Sequence, residues 1–179
     1  MHTIRHIRST WLGAGLGAGL LAALLTTGAG SAETLPAAQG EVILSVSGAI
    51  STTNGDGVLA LDADLLATLP QHAFTTATIW TEGTATYSGV LLRDLLAAAG
   101  ATGATVKLTA LNDYQIAMPA ADAATDGPLL AYLADGQPMS IRDKGPVWLI
   151  YPFDDVAAYR TEQTYARSIW QLNRIEITD

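Results

Sequence analysis

Asn112, Asp113 and Tyr114 put an amide, a carboxylate and an aromatic ring at consecutive positions. A carboxylate accepts two parallel hydrogen bonds from a donor edge, and an aromatic face stacks on a flat ring. The triplet therefore has the parts needed to hold a planar heterocycle. The same Asn-Asp pair also turns a chain readily, because short polar side chains bond their own backbone. The residues alone leave both readings open. Trp80 and Glu82 add a second aromatic ring and a second carboxylate after a β-branched run, and Tyr151 ends an apolar run. Arg142 lies in a polar stretch before Gly145-Pro146. Other chemistries are poorly supplied. The chain has no cysteine and, after residue 32, one histidine, His72, which does not make a zinc cluster. No Gly-x-Ser-x-Gly elbow is present. The glycines at 13, 15, 17 and 19 follow no strand and do not make a phosphate loop.

These candidates need elements to carry them. Val42, Leu44 and Val46 alternate with polar residues and predict a strand. Asn54-Gly55-Asp56-Gly57 predicts a hairpin turn leading to Val58-Leu59-Ala60-Leu61; a calcium loop would need further ligands that the spacing lacks. Asp62 is placed to cap a short helix running to Leu69. The segment from Phe74 to Thr81 predicts a strand, with Trp80 at its end. Ser88 is placed to cap a helix bearing Leu91, Leu92, Leu95 and Leu96, ended by Gly100. Val106, Leu108 and Ala110 predict a strand, and 114–118 another after the Asn-Asp corner. The apolar runs 129–133 and 147–151 read as buried strands, whereas 154–168 fits a loop or a short helix. Trp148 and Trp170 are expected in the core. The sum is an α+β domain around a mixed β-sheet, a single domain over 41–179.

The first 32 residues read as an address. Arg5 and Arg8 form a basic head, residues 11–25 are apolar, and Gly30-Ser31-Ala32 is a small-residue cleavage site. Residues 33–40 are expected to be a loose leader. The arginines are not adjacent, so a twin-arginine signal is not expected. Loss of Arg5 and Arg8 moves the formal net charge from −8 to −10. Such acidity argues against nucleic acid and anionic lipid as partners. A periplasmic or secreted protein without an integral membrane segment after cleavage is expected.

Several landmarks follow one another in order. They are Thr78-Ile79-Trp80, Ser88-Gly89-Val90-Leu91-Leu92-Arg93-Asp94-Leu95-Leu96, Asn112-Asp113-Tyr114, Asp135-Gly136-Gln137-Pro138, Gly145-Pro146-Val147-Trp148 and Ile169-Trp170. Together they resemble the oxidoreductase molybdopterin-binding domain, which has the sulfite-oxidase-like fold. The resemblance implies that fold, a pterin-type cofactor and a pocket at the Asn112-Asp113-Tyr114 corner. It also implies cations such as Arg142 near the cofactor's phosphate. Family enzymes hold molybdenum through a cysteine thiolate near the strand that ends at Trp80, so with no cysteine molybdenum is not expected. The implied cofactor-binding residues are Trp80, Glu82, Asn112, Asp113, Tyr114, Arg142 and Tyr151, with no catalytic or metal-ligating residue. The resemblance fits an exported pterin-binding module serving a membrane sensor or cyclase protein. The alternative is a molybdopterin-dependent oxidoreductase or a subunit of one. N-terminal sequencing of the exported protein should find Glu33 within a residue or two; intact Met1 in a membrane fraction would overturn the export reading.

Overall fold

Alternating leucine and valine build the first strand, β1 (Leu44–Gly48), whose Leu44 and Val46 are fully buried while Ser45 and Ser47 are partly exposed. The turn after it closes because Asn54 mimics a strand partner: its Nδ2 donates to Ala60 O and its Oδ1 accepts from Ala60 N, both at 2.7 Å. That returns the chain as β2 (Leu59–Leu61), antiparallel to β1. The computed structural model describes residues 35–123 and 126–179, which fall within one compact unit, 31–179. The export signal expected at 1–32 and the first two leader residues lie outside the described residues.

Asp62 caps helix α1 (Ala63–Thr68) as its position predicts, with Oδ1 accepting from Leu65 N at 2.8 Å. Its other oxygen accepts from the backbone amides of Gln39 and Gly40, each at 2.8 Å. Asn54 Nδ2 also donates to Pro36 O. The described part of the leader is therefore tied to the domain rather than loose. A buried carboxylate supplies acceptors that amides at a helix start and a chain entry would otherwise lack.

Two five-stranded sheets form the body. The first runs β2-β1-β10-β5-β6, with β5 (Thr105–Ala110), β6 (Gln115–Pro119) and β10 (Leu172–Thr178). Its β1–β10 pairing is parallel and the others are antiparallel, which makes the sheet mixed. The second sheet runs β3-β4-β7-β8, with β9 also paired to β7. Its strands are β3 (Gln71–Ala77), β4 (Thr84–Leu91), β7 (Leu129–Ala134), β8 (Gln137–Pro138) and β9 (Trp148–Ile150). Helix α2 (Leu92–Ala98) buries Leu92 and Leu95, and Gly100 follows it at φ +60°. Short helices α3 (Ala120–Ala123) and α4 (Glu162–Arg167) complete the set. One buried apolar cluster joins side chains from both sheets, among them Val46, Leu108, Leu130, Leu149 and Ile175. No helix among the described residues is long and apolar enough to cross a membrane.

Two further sequence expectations change. The strand expected from Phe74 to Thr81 starts at Gln71 and ends at Ala77, leaving Trp80 in the following turn. Ser88 does not cap α2; it lies inside β4, and the helix begins after Leu91 without a side-chain cap. β4 escapes a pattern search because its threonines and Gly89 dilute the apolar alternation. Gly89 is there for space: a Cβ on it would sit 2.0 Å from Leu130 O on β7.

The contacts of Asp62 predict that the fold is acid-sensitive. Its pKa is held below the ordinary value, first by the Leu65 amide and then by the Gly40 and Gln39 amides, while burial opposes them. A depressed folded pKa stabilises the fold above the unfolded value of about 4, and that contribution is lost as pH falls through the folded value. Denaturation midpoints measured from about pH 5 to pH 2 should fall for the wild type, and Asp62→Asn should be less stable at neutral pH with a shallower acid slope. An unchanged slope would remove Asp62 from that role.

Candidate functional site

Three separated segments converge on one cleft. The first is the β3–β4 turn. Thr78 Oγ1 accepts from Trp80 N at 3.1 Å and meets Thr81 Oγ1 at 2.7 Å, and Gly83 adopts φ +65°. This folds Trp80 back over the domain. Its ring makes edge contacts with Trp148, Phe153, Tyr165 and Trp170, with centroids 5.9, 6.3, 5.7 and 5.8 Å away. The second is the β5–β6 hairpin tip. Ala110 N donates to Tyr114 O at 2.9 Å, Asp113 N to Ala110 O at 3.0 Å, and Tyr114 N to Asn112 Oδ1 at 3.2 Å. Asp113 takes φ +63°, a conformation that Asp tolerates better than most residues. The third is the corner from α4 into β10. Thr161 caps α4 by accepting from Thr164 N, and Ser168 Oγ donates to Thr164 O at 2.9 Å. The corner then presents Tyr165, Ile169 and Trp170.

The resulting cleft has a volume of about 510 Å³, within the ~300–1,000 Å³ typical of small-molecule sites. Trp80, Tyr114, Tyr165 and Trp170 supply aromatic surface, and Asn112 and Ser168 supply polar groups. No charged side chain among the described residues lines it. Ile79, Tyr114 and Trp170 are three of the seven exposed large apolar side chains among the described residues, and all three border this cleft. Concentrating them at one concavity is what a binding surface requires and what an ordinary exterior avoids.

Of the seven residues singled out in the sequence, the structure brings Trp80, Asn112 and Tyr114 together. Asp113 does not line the cleft: its side chain is 80% exposed and pairs with Arg174 of β10. Both halves of the Asn-Asp ambiguity are thus realised, since Asn112 turns the chain and also faces the cleft. Glu82 is exposed in the β3–β4 turn and is not a lining residue. Arg142 is exposed in the short 3-10 turn Ile141–Asp143, also off the lining. Tyr151 lies inside, 3% exposed, packed against Phe153 and Tyr159. Burial pushes its phenol pKa up, and its hydroxyl has no hydrogen-bond partner among the described residues. Trp148 is in the core as expected, with Nε1 donating to Ser168 O at 3.1 Å. Trp170 is not: it is 38% exposed and forms a wall of the cleft. Tyr165 and Ser168 went unrecognised, because 154–168 carries no periodic signal, and Ile169 was noted only as part of a landmark. The aromatic pair at 165 and 170 beside Ile169 was the available hint. His72 is elsewhere, its Nε2 2.9 Å from Asp94 Oδ2.

Two mixed or antiparallel sheets with few helices, meeting at an aromatic cleft, define an α+β domain. The comparisons make this particular. Residues 61–178 match the family described as oxidoreductase molybdopterin binding domain, and the chain belongs to that family. Among solved structures it is similar to the sulfane dehydrogenase SoxCD from Paracoccus pantotrophus, with a TM-score of 0.58 and 19% identity. That likeness covers 81% of this chain but only 40% of that one, and it concerns the fold. No curated protein matches the chain. The mixed-sheet, sulfite-oxidase-like fold expected from the resemblance is the fold found.

The family implies a molybdopterin cofactor, and its two parts fit differently here. A flat pterin ring suits the aromatic walls of the cleft. Metal ligation does not fit: the chain has no thiol, and no group of three His, Cys, Asp or Glu residues among the described residues is arranged for a metal. Tyr151, with its orphaned hydroxyl, separates packing from binding. Tyr151→Phe should raise stability by about 1 kcal/mol, since an unpaired buried hydroxyl carries an uncompensated desolvation cost. Thermal or chemical denaturation reads this. A loss of stability would show that the hydroxyl has a partner.

Proposed function

We propose that this domain is a pterin-binding module whose ring site is the cleft between the β3–β4 turn, the β5–β6 tip and the α4–β10 corner. The observation that carries this reading is the cleft's lining, four aromatic side chains around a neutral polar group in a domain of the molybdopterin-binding family. The ring would stack on the indoles of Trp80 or Trp170. Asn112, whose Oδ1 is used by the Tyr114 amide, has its amide nitrogen to offer a ring carbonyl or ring nitrogen. The ligand is a pterin held without molybdenum, because the soft thiolate on which the family's metal depends is missing. We further propose that the domain works outside the cytoplasm and reports occupancy to a membrane sensor or cyclase protein. The acidic composition and the character of residues 1–32 support this part. Family membership and the similarity to a sulfane dehydrogenase favour a second reading, an oxidoreductase or a subunit of one.

Calorimetry with a panel of oxidised and reduced pterins, alongside metal analysis of natively produced protein, tests these readings. Micromolar binding is expected, about −8 kcal/mol. Trp170→Ala removes a wall that is already part-exposed, so the fold should survive. It should weaken binding by about ten- to a hundredfold, since one aromatic stack is worth ~1–3 kcal/mol. Asp113→Asn should change affinity little, because its carboxylate faces Arg174 outside the lining. Absence of binding below millimolar concentrations would sink the pterin reading. Stoichiometric molybdenum with turnover would favour the oxidoreductase.

A further inference from the structure

Lysine 144 occupies an unusual position for a cation in this acidic chain. Arg93, Lys107, Arg160, Arg167 and Arg174 each pair with a carboxylate. Lys144 has no carboxylate partner among the described residues. Its ammonium stands instead over two indoles, 4.6 Å from the Trp170 ring centroid and 5.8 Å from that of Trp148. Both distances lie inside the range at which a cation is drawn to an aromatic face. The backbone is arranged to keep it there. Lys144 sits at φ +78° and Gln171 at φ +53°, conformations that non-glycine residues rarely adopt. Gln171 N donates to Lys144 O at 2.9 Å, and Gln171 Nε2 donates to Ile141 O at 2.8 Å. The loop carrying the lysine and the corner carrying Trp170 are thus bonded as one piece. Among the described residues, the other aromatic ring against Trp170 is that of Trp80, in edge contact.

We infer that Lys144 is a positioning residue for the ligand site, holding the exposed Trp170 indole as a fixed wall through its ammonium. Lys144 itself is not among the residues that line the cleft. It therefore acts on a ligand through the indole and not by touching it. Without that cation a part-exposed indole has more rotamer freedom, and a ring entering the cleft would have to order it at the cost of affinity. A cation on the indole face removes that cost before the ligand arrives. The inference rests on the pterin reading for its ligand but not for its structural half.

The test uses Lys144→Met and Lys144→Gln, which remove the charge, and Lys144→Arg, which keeps a cation able to sit on an indole. Acrylamide quenching of tryptophan emission in the ligand-free protein should rise for Met and Gln and return toward wild type for Arg. Denaturation midpoints confirm that each variant is folded. Affinity for unsubstituted pterin and for pterin-6-carboxylate should fall about fivefold for both neutral variants and recover with Arg. Equal quenching in wild type and both neutral variants overturns the inference. So does a loss confined to pterin-6-carboxylate, which would mean that the ammonium pairs directly with the ligand's anion. If the wild type binds neither pterin, the pterin reading falls, and the quenching series still decides whether Lys144 holds the wall.

Discussion

The backbone between Ile169 and Leu172 is bonded to both sheets, and the cleft depends on that seam. Leu149 N of β9 donates to Ile169 O, and Leu172 N donates to Val147 O, so the entry to β10 is tied to the second sheet. Leu111 N donates to Gln171 O, which ties the same few residues to the β5–β6 tip of the first sheet. Backbone groups buried at such a junction must be paired, and here they pair with each other across the two sheets. The consequence is geometric. Trp170 stands where the second sheet's β3–β4 turn and the first sheet's β5–β6 tip come within reach of one another.

Around that seam the aromatic side chains do two jobs. Trp148 and Phe153 fill the interior, and Trp80 caps them with edge-to-face contacts. Such contacts prefer an edge against a face, which leaves the partners' outer surfaces uncovered. Tyr165 and Trp170 share in the same cluster yet open to solvent. The cleft is thus the unfinished side of an aromatic core. This explains how a chain with few aromatic residues, 7% by composition, concentrates several of them at one site. It also explains why that site is neutral: the acidic excess of the chain is spent on the surface and on ion pairs elsewhere.

A cysteine-free member of a molybdopterin-binding family poses a question of retained architecture. The fold brings hairpin tips from two sheets to one place, and that arrangement shapes a cavity whether or not a metal ligand is present. Fold alone does not assign chemistry. What distinguishes this chain is the balance at its cleft, where aromatic surface is abundant and groups able to ligate a metal are scarce. Recognition of a flat ring needs only the former.

Much of the scaffold was legible in the sequence, and the reasons are local. Val106-Lys107-Leu108 and Ile175-Glu176-Ile177 alternate because one face of each strand meets the core. Asp62 announces its helix, and Gly100 its end, because capping and left-handed turns have few chemical solutions. The Asn112 corner was visible for the same reason. Tertiary structure alone decided which neighbours of that corner face the cleft. Asp113 and Asn112 are adjacent in sequence, but the left-handed φ at Asp113 sends its carboxylate to Arg174 on β10. Tyr151, expected at the site, is sealed and Trp170, expected in the core, is open, because the seam at 169–172 turns the chain outward at Trp170. Alternation and capping are properties of a few consecutive residues. A cleft assembled from three hairpins and corners is set by contacts among distant ones, and no local pattern records them.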